Sequence, residues 1–131
     1  LQKVPRDVPV CVVSHIPIVS VAAFFTGATG KEELIRDGNW IVPGGWVHVD
    51  AKRFKELFAR HPNVKLCLSG HLHLQDRVDY NGVSYLCNGA VCGAWWKGPL
   101  RECREGYALV DLFNDGSFAS QYVGYDWTAA G

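Results

Sequence analysis

The chain has 131 residues, of which 48% are hydrophobic and 20% charged, and its 13 basic residues balance 13 acidic ones. This size and apolar content suffice for one compact domain, and the balanced charge gives no positive field that would attract a nucleic-acid polymer. The longest apolar stretches end well short of the roughly 20 residues that a membrane-spanning helix needs, so we expect no membrane span.

The first predicted element is a strand at residues 9–13, a β-branched run that we expect to be covered on both faces. His15 follows directly after it. Residues 19–49 contain so many Gly that most of the segment is predicted to be loop, with a short helix near residues 31–36.

A helix is predicted at residues 51–60, where Asp50 is a suitable N-cap and Phe54, Leu57 and Phe58 recur at the i, i+3, i+4 spacing. The next apolar run, residues 64–68, predicts a second buried strand. It ends just before Gly-His-Leu-His, so the second strand, like the first, is followed by histidine.

The rest of the chain is predicted to form two hairpins. Residues 76–80 and 83–87 flank an Asn-Gly dipeptide, which favours a type I′ turn. Residues 107–113 and 117–122 flank Asn-Asp-Gly, another turn sequence.

Three of the five histidines, His15, His71 and His73, therefore lie in loops after predicted strands, where open α/β sheets bind ligands. Side chains at i and i+2 of an extended segment point to opposite faces, so a single metal bound by both His71 and His73 requires the loop to bend. Two neighbouring metals suit this spacing better. Neutral imidazole is a good ligand for divalent transition metals.

Segments 12–18 (VVSHIPI) and 66–73 (LCLSGHLH) resemble the last two motif blocks of the calcineurin-like metallophosphoesterases. Segments 85–90 and 106–112 lie where that family has its closing strands. The resemblance implies a site with two divalent metal ions, Mn, Fe or Zn, in which His15 and His71 bind one ion and His73 the other. It implies hydrolysis of a small-molecule phosphoester, either a diester or a monoester, and the motifs look closer to the cyclic-nucleotide phosphodiesterase-like branch than to the protein phosphatases.

The family's earlier motif blocks are absent from this sequence. The resemblance therefore implies that residues 1–131 are the C-terminal portion of one metallophosphoesterase domain whose N-terminal metal-binding half lies outside the chain. The expected fold is α/β, the C-terminal half of a two-sheet sandwich with mixed strands, few helices and closing hairpins. We expect the isolated fragment to be inactive and to self-associate through its exposed edges and apolar surface.

Trp95, Trp96 and Lys97 lie in a Gly-rich loop and are candidate substrate-binding residues, since Trp can stack on an aromatic ligand. The alternative is that both Trp side chains cover the sheet or an interface. Cys92 and Cys103 flank this loop, and the sequence leaves open whether they form a disulfide.

Two other functions compete with the hydrolase. One is a binding or scaffold module that keeps the fold without catalysis. The other is an unrelated structural zinc domain, which is disfavoured because the sequence has no Cys-X-X-Cys pair. His48 and His61 match no motif and are predicted to be structural.

Overall fold

A computed structural model of the chain describes residues 1–25, 35–125 and 127–128. The chain is mixed α/β, mostly strands with few helices. In chain order the elements are β1 (Val10–Val13), α1 (Ala22–Phe25), β2 (Ile35–Arg36), β3 (Asn39–Trp40), α2 (Ala51–Ala59), β4 (Val64–Ser69), β5 (Asp76–Tyr80), β6 (Val83–Cys87), β7 (Gly106–Leu112) and β8 (Phe118–Gly124). Neither described helix is long and apolar enough to cross a bilayer.

The central feature is a four-stranded sheet with the strand order β1-β4-β6-β5. Strands β1, β4 and β6 are parallel, and β5 is antiparallel to β6. The parallel strands are rich in Val, Leu and Cys, which suit a buried position in a sheet. Because β1 and β4 are neighbours, the loops that follow them open at the same edge of the sheet.

The core lies between this sheet and helix α2. Its buried members are Ile18, Phe58, Val64, Cys67, Val83 and Tyr85. Helix α2 reaches this core with the apolar face predicted from the sequence, and the rings of Phe54 and Phe58 stack at 6.0 Å. Burial of these side chains provides the main stabilising free energy.

The predicted helix at residues 51–60 is confirmed, and it ends one residue earlier, at Ala59. Asp50 occupies the N-cap position, but its side chain makes no capping hydrogen bond. Its carboxylate instead lies 3.4 Å from the Arg53 guanidinium, an exposed ion pair that contributes little stability.

The first predicted hairpin is confirmed as β5 and β6, joined by Asn81 and Gly82 at φ angles of 51° and 76°. Positive φ at both central residues is the geometry of a type I′ turn. The second predicted hairpin is confirmed as β7 and β8, which form a separate two-stranded sheet.

The β7–β8 hairpin lies beside the four-stranded sheet. Its residues Leu112 and Phe118 line a cavity together with Val10 and Leu66 of the sheet. At another point the Arg77 guanidinium of β5 lies 5.3 Å from the centre of the Phe118 ring, a cation–π distance.

Two predictions for the first 40 residues of the chain are wrong. Strand β1 was expected to be covered on both faces, but none of its residues is fully buried and its last residue, Val13, is 75% exposed. The short helix predicted at residues 31–36 is contradicted at Ile35–Arg36, which pairs with β3 as a strand. The Asp37-Gly38 turn, with φ angles of 52° and 75°, reverses the chain there and favours a hairpin. Residues 31–34 lie outside the described residues.

Helix α1 was not predicted, and it is held by one carboxylate from the sheet. Oδ2 of Asp76 accepts hydrogen bonds from Ser20 Oγ at 2.8 Å and from the amides of Val21 and Ala22 at 2.6 and 2.9 Å. Amides at the start of a helix need such acceptors. Asp76 thereby attaches the segment after β1 to the first residue of β5.

Candidate metal centre

The candidate centre lies where the parallel strands β1, β4 and β6 end. The loops there are tied together by backbone hydrogen bonds: the amide of Gly70 donates to His15 O at 3.1 Å, and the amide of Asn88 donates to Ser69 O at 2.8 Å. These bonds continue the sheet's hydrogen bonding into the loops. The predicted position of the histidine loops at this sheet edge is therefore confirmed.

His15 and His71 meet directly at this edge. Nδ1 of His71 lies 2.9 Å from Nε2 of His15, and the two rings are edge-to-face at 4.7 Å. One ring nitrogen can donate a hydrogen bond to the other at this distance. The separation also fits a shared metal, since nitrogens at about 2.1 Å from one ion lie roughly 3.0 Å apart on neighbouring octahedral corners and roughly 3.4 Å apart on a tetrahedron.

The loop after β4 does bend, which is the condition for one metal ion to be bound by both His71 and His73. His71 and His73 have φ angles of 70° and 58°, in the left-handed region that residues other than Gly rarely adopt. The amide of Leu72 donates to Gly70 O at 2.8 Å within this turn. Although the loop bends, the His71 ring contacts His15 and the His73 ring contacts Gly93.

His73 faces the loop that follows β6. Its Nδ1 lies 2.7 Å from Gly93 O, and because a carbonyl oxygen only accepts, Nδ1 is the protonated nitrogen. Its ring also lies 4.8 Å from that of Trp95. A backbone carbonyl on one ring nitrogen is the usual arrangement for a metal-ligating histidine, since it leaves the other nitrogen with a free lone pair.

Gly93 is required at this contact. Its φ is 48°, and a Cβ built there would come within 3.0 Å of Oε1 of Glu105. The Glu105 side chain is 5% exposed, and within the described ranges Oε1 has no hydrogen-bond partner. The buried carboxylate therefore fills the space behind the loop that presents the Gly93 carbonyl to His73.

Cys87 ends β6 beside the same loops. Its thiol donates to Gly70 O at 3.0 Å, and burial raises its pKa to about 11. A neutral thiol is a poor metal ligand. Cys87 therefore supports the histidine loop as a hydrogen-bond donor. All five cysteines are free, including Cys92 and Cys103.

A cavity of about 300 Å³ opens next to the histidine pair. Its lining residues are Trp46, His71, Leu72, Leu74, Trp95, Leu100 and Arg101. Of the three candidate substrate-binding residues, only Trp95 lines it. Trp96 packs against Trp127 at 5.5 Å, and Lys97 is exposed outside the lining.

Trp46 was missed by the sequence analysis. It lies in a Gly-rich segment with no periodic pattern, and the turn that positions it is closed by its amide donating to Pro43 O at 2.9 Å. A single Trp after two Gly residues carries no local signal for a cavity wall. His48, predicted to be structural, packs edge-to-face on Phe54 at 5.4 Å.

The structure thus brings His15 and His71 together and places His73 against Gly93 and Trp95. Among residues 1–25, 35–125 and 127–128, no group of three or more His, Cys, Asp or Glu side chains is arranged to hold a metal ion. The pair fits two ligand positions of one ion. In comparisons with known proteins, no protein-family model, no curated protein and no solved structure matches the chain.

Proposed function

We propose that this chain belongs to a metal-dependent phosphoester hydrolase in which His15 and His71 bind one divalent ion and His73 binds a second. The observation that carries the proposal is the 2.9 Å approach of His71 Nδ1 to His15 Nε2 across the ends of two adjacent parallel strands. Residues 56 positions apart in sequence are brought to ligand spacing at the edge where α/β sheets bind ligands.

The resemblance of the two histidine motifs to calcineurin-like metallophosphoesterases supports the same proposal. In this proposal the 131 residues are the C-terminal portion of one two-sheet sandwich domain, and further metal ligands come from an N-terminal half. Imidazole ligands are compatible with Mn, Fe or Zn. The substrate is a small phosphodiester or phosphomonoester.

The chain's own residues have distinct parts in this function. His15 and His71, whose facing nitrogens lie 2.9 Å apart, would both bind one ion, and the Gly93 carbonyl orients the His73 ring so that its Nε2 would be the ligand atom for the other. When bound, two divalent ions would provide Lewis-acid activation of the phosphoryl group. Trp95 packs beside His73, with the two ring centres 4.8 Å apart.

Metal binding is the first test. Titration of the longest natural chain that contains these 131 residues with Mn²⁺, followed by electron paramagnetic resonance, is expected to show a site that His15→Ala and His71→Ala each weaken at least about tenfold. His61→Ala is the matched control. His61 precedes β4, whereas His71 follows it, so the substitution should leave the affinity unchanged. Equal binding by all variants would overturn the assignment.

Activity is the second test. In the longest natural chain that contains these 131 residues, hydrolysis of bis(4-nitrophenyl) phosphate in Mn²⁺ buffer is expected to fall at least about a hundredfold in His71→Ala. His61→Ala should retain activity. An active His71→Ala variant, or an inert parent chain that binds no metal, would contradict the hydrolase proposal.

The second candidate is a scaffold module of the same fold, and the His15–His71 distance also favours it. At 2.9 Å one ring nitrogen can donate an N–H···N hydrogen bond to the other without any ion. Nitrogen NMR of the histidine rings separates the two functions. If the rings ligate metal, Zn²⁺ added to the metal-free chain shifts the ring-nitrogen signals of both histidines, whereas a scaffold gives the same signals with and without Zn²⁺.

A further inference from the structure

The cavity beside His71 has a lining that favours a particular kind of organic group. Most of its lining is apolar, and two of the apolar residues, Trp46 and Trp95, are aromatic. Trp95 is 65% exposed. An exposed Trp in a cavity wall marks a surface that a flat apolar group can cover by stacking.

The backbone that carries Trp95 is held by hydrogen bonds within its own loop. Its φ is 54°, and the loop around it is closed by the amide of Trp96 donating to Cys92 O at 2.7 Å and that of Ala94 donating to Gly98 O at 2.8 Å. The His73 ring packs on one side of Trp95 at 4.8 Å. A strained, cross-bonded loop that fixes one aromatic ring is a preorganised binding surface.

Arg101 brings a positively charged group to the cavity. It lines the same space as His71, and its own φ of 52° is again in the left-handed region. Guanidinium groups bind phosphate oxygens by paired, charge-assisted hydrogen bonds, so the cavity suits an anionic group close to an apolar one.

The size of the cavity limits the apolar group. A volume of about 300 Å³ is at the lower end of the range for small-molecule sites. This volume suits one ring together with its phosphate better than the larger base and sugar of a purine nucleotide.

We propose that this cavity binds phosphoesters whose organic group is a single flat aromatic ring, with Trp95 stacking on the ring and Arg101 binding the phosphate. The phosphoester half of the inference rests on the proposed function. The preference for a ring rests on the cavity alone, so the two can fail separately.

The test is isothermal titration calorimetry of the 131-residue chain in EDTA, which removes metal ions. Three ligands are compared: phenylphosphonate, butylphosphonate and inorganic phosphate. Phenylphosphonate is expected to bind about threefold to tenfold more tightly than butylphosphonate, because only the ring can stack. Equal affinities for the two phosphonates would overturn the proposal. Tighter binding of adenosine monophosphate than of phenylphosphonate would overturn the limit to a single ring.

Matched variants assign the effect to Trp95. Trp95→Leu is expected to abolish the preference for phenylphosphonate, and Trp95→Phe should restore most of it. Trp96→Leu is the control, because Trp96 has a similar backbone conformation, with φ 66°, but packs on Trp127 outside the cavity. A loss of the preference in Trp96→Leu equal to that in Trp95→Leu would reject the assignment.

Arg101 is tested by charge. Arg101→Gln should weaken all three ligands by a similar factor of about ten, whereas Arg101→Lys, which keeps the charge but not the paired donors, should weaken them less. Unchanged affinities in Arg101→Gln would remove Arg101 from the proposal.

Failure of this inference and failure of the proposed function give different results. A ring preference in EDTA without Mn²⁺ binding would support the cavity and reject the metal centre. Mn²⁺ binding through His15 and His71 without a ring preference would do the opposite. Circular dichroism of each variant confirms that it is folded.

Discussion

The four-stranded sheet and the loops at its edge differ in how their residues are held. In the sheet, β4 and β6 place Val64, Leu66, Val83 and Tyr85 at 5% exposure or less. In the site loops, which we define as residues 70–75 and 92–101, Trp95 and Trp96 are 65% and 55% exposed, and several residues have positive φ angles. Of the seven positive-φ residues other than Gly in the described chain, five lie in the site loops: His71, His73, Trp95, Trp96 and Arg101.

We interpret this difference as a separation between residues that stabilise the fold and residues of the proposed site. A residue other than Gly at positive φ costs of the order of 1 kcal/mol, and such strain persists only where the surrounding structure imposes it. The buried strands provide the favourable free energy that holds the loops in these conformations. Strain concentrated beside the histidine pair is typical of a functional site.

The largest expected effect is in the sheet. Leu66 is 2% exposed, so Leu66→Ala leaves a cavity and is expected to lower the free energy of unfolding by about 3 kcal/mol. Trp95→Leu in the site loops should change it by no more than about 0.5 kcal/mol. Urea unfolding followed by circular dichroism measures both.

A surface substitution, Lys52→Ala on helix α2, is the control for Leu66→Ala and should be near neutral. If Trp95→Leu destabilised the chain as much as Leu66→Ala, the site loops would be part of the stabilising core and the division proposed above would not hold.

The sheet was largely predictable because its sequence signals are local. The apolar runs of β1 and β4, the i, i+3, i+4 spacing of helix α2 and the Asn81-Gly82 turn each fix one element without knowledge of the rest. The parallel order of β1 and β4 then places His15 and His71 at one edge. The meeting of these two side chains therefore follows from the sequence once the strands are recognised.

The conformation of the site loops was not predictable in the same way. Nothing in the local sequence indicates that His73 adopts a φ of 58°, because that angle is maintained with a tertiary hydrogen bond to Gly93 O. The same holds for Trp46, which reaches the cavity from a Gly-rich segment without periodicity. Helix α1 depends on a carboxylate, Asp76, that lies more than 50 residues away.

An alkaline titration tests the two buried thiols of the sheet, Cys67 in β4 and Cys87 in β6. Burial raises the pKa of Cys67 to about 12 and that of Cys87 to about 11, from 9.0. Below pH 9 both thiols are neutral in the folded and unfolded states, and their contribution to stability is fully present. As the pH rises through 9 toward 11 or 12, only the unfolded chain ionises, so stability is lost.

The expected loss is about 1 kcal/mol per pH unit for each buried thiol, measured by urea unfolding at pH 8, 9 and 10. Cys67→Ala should lower stability at pH 8 but reduce the slope above pH 9. An unchanged slope in Cys67→Ala would mean that this thiol ionises as readily in the folded chain as in the unfolded one.

The smallest effect is also the most direct test of the strained loop. His71 has a φ of 70°, where Gly is unstrained and Ala is not, so His71→Gly should be more stable than His71→Ala by about 1 kcal/mol. Both variants remove the imidazole, so the loss of the contact with His15 cancels in the comparison. At Lys52, inside helix α2, the same pair of substitutions should give the opposite order, because Gly destabilises a helix by about 1 kcal/mol relative to Ala. If Ala were the more stable at both positions, the left-handed backbone at His71 would be wrong, and the difference between sheet and site loops would lose its clearest example.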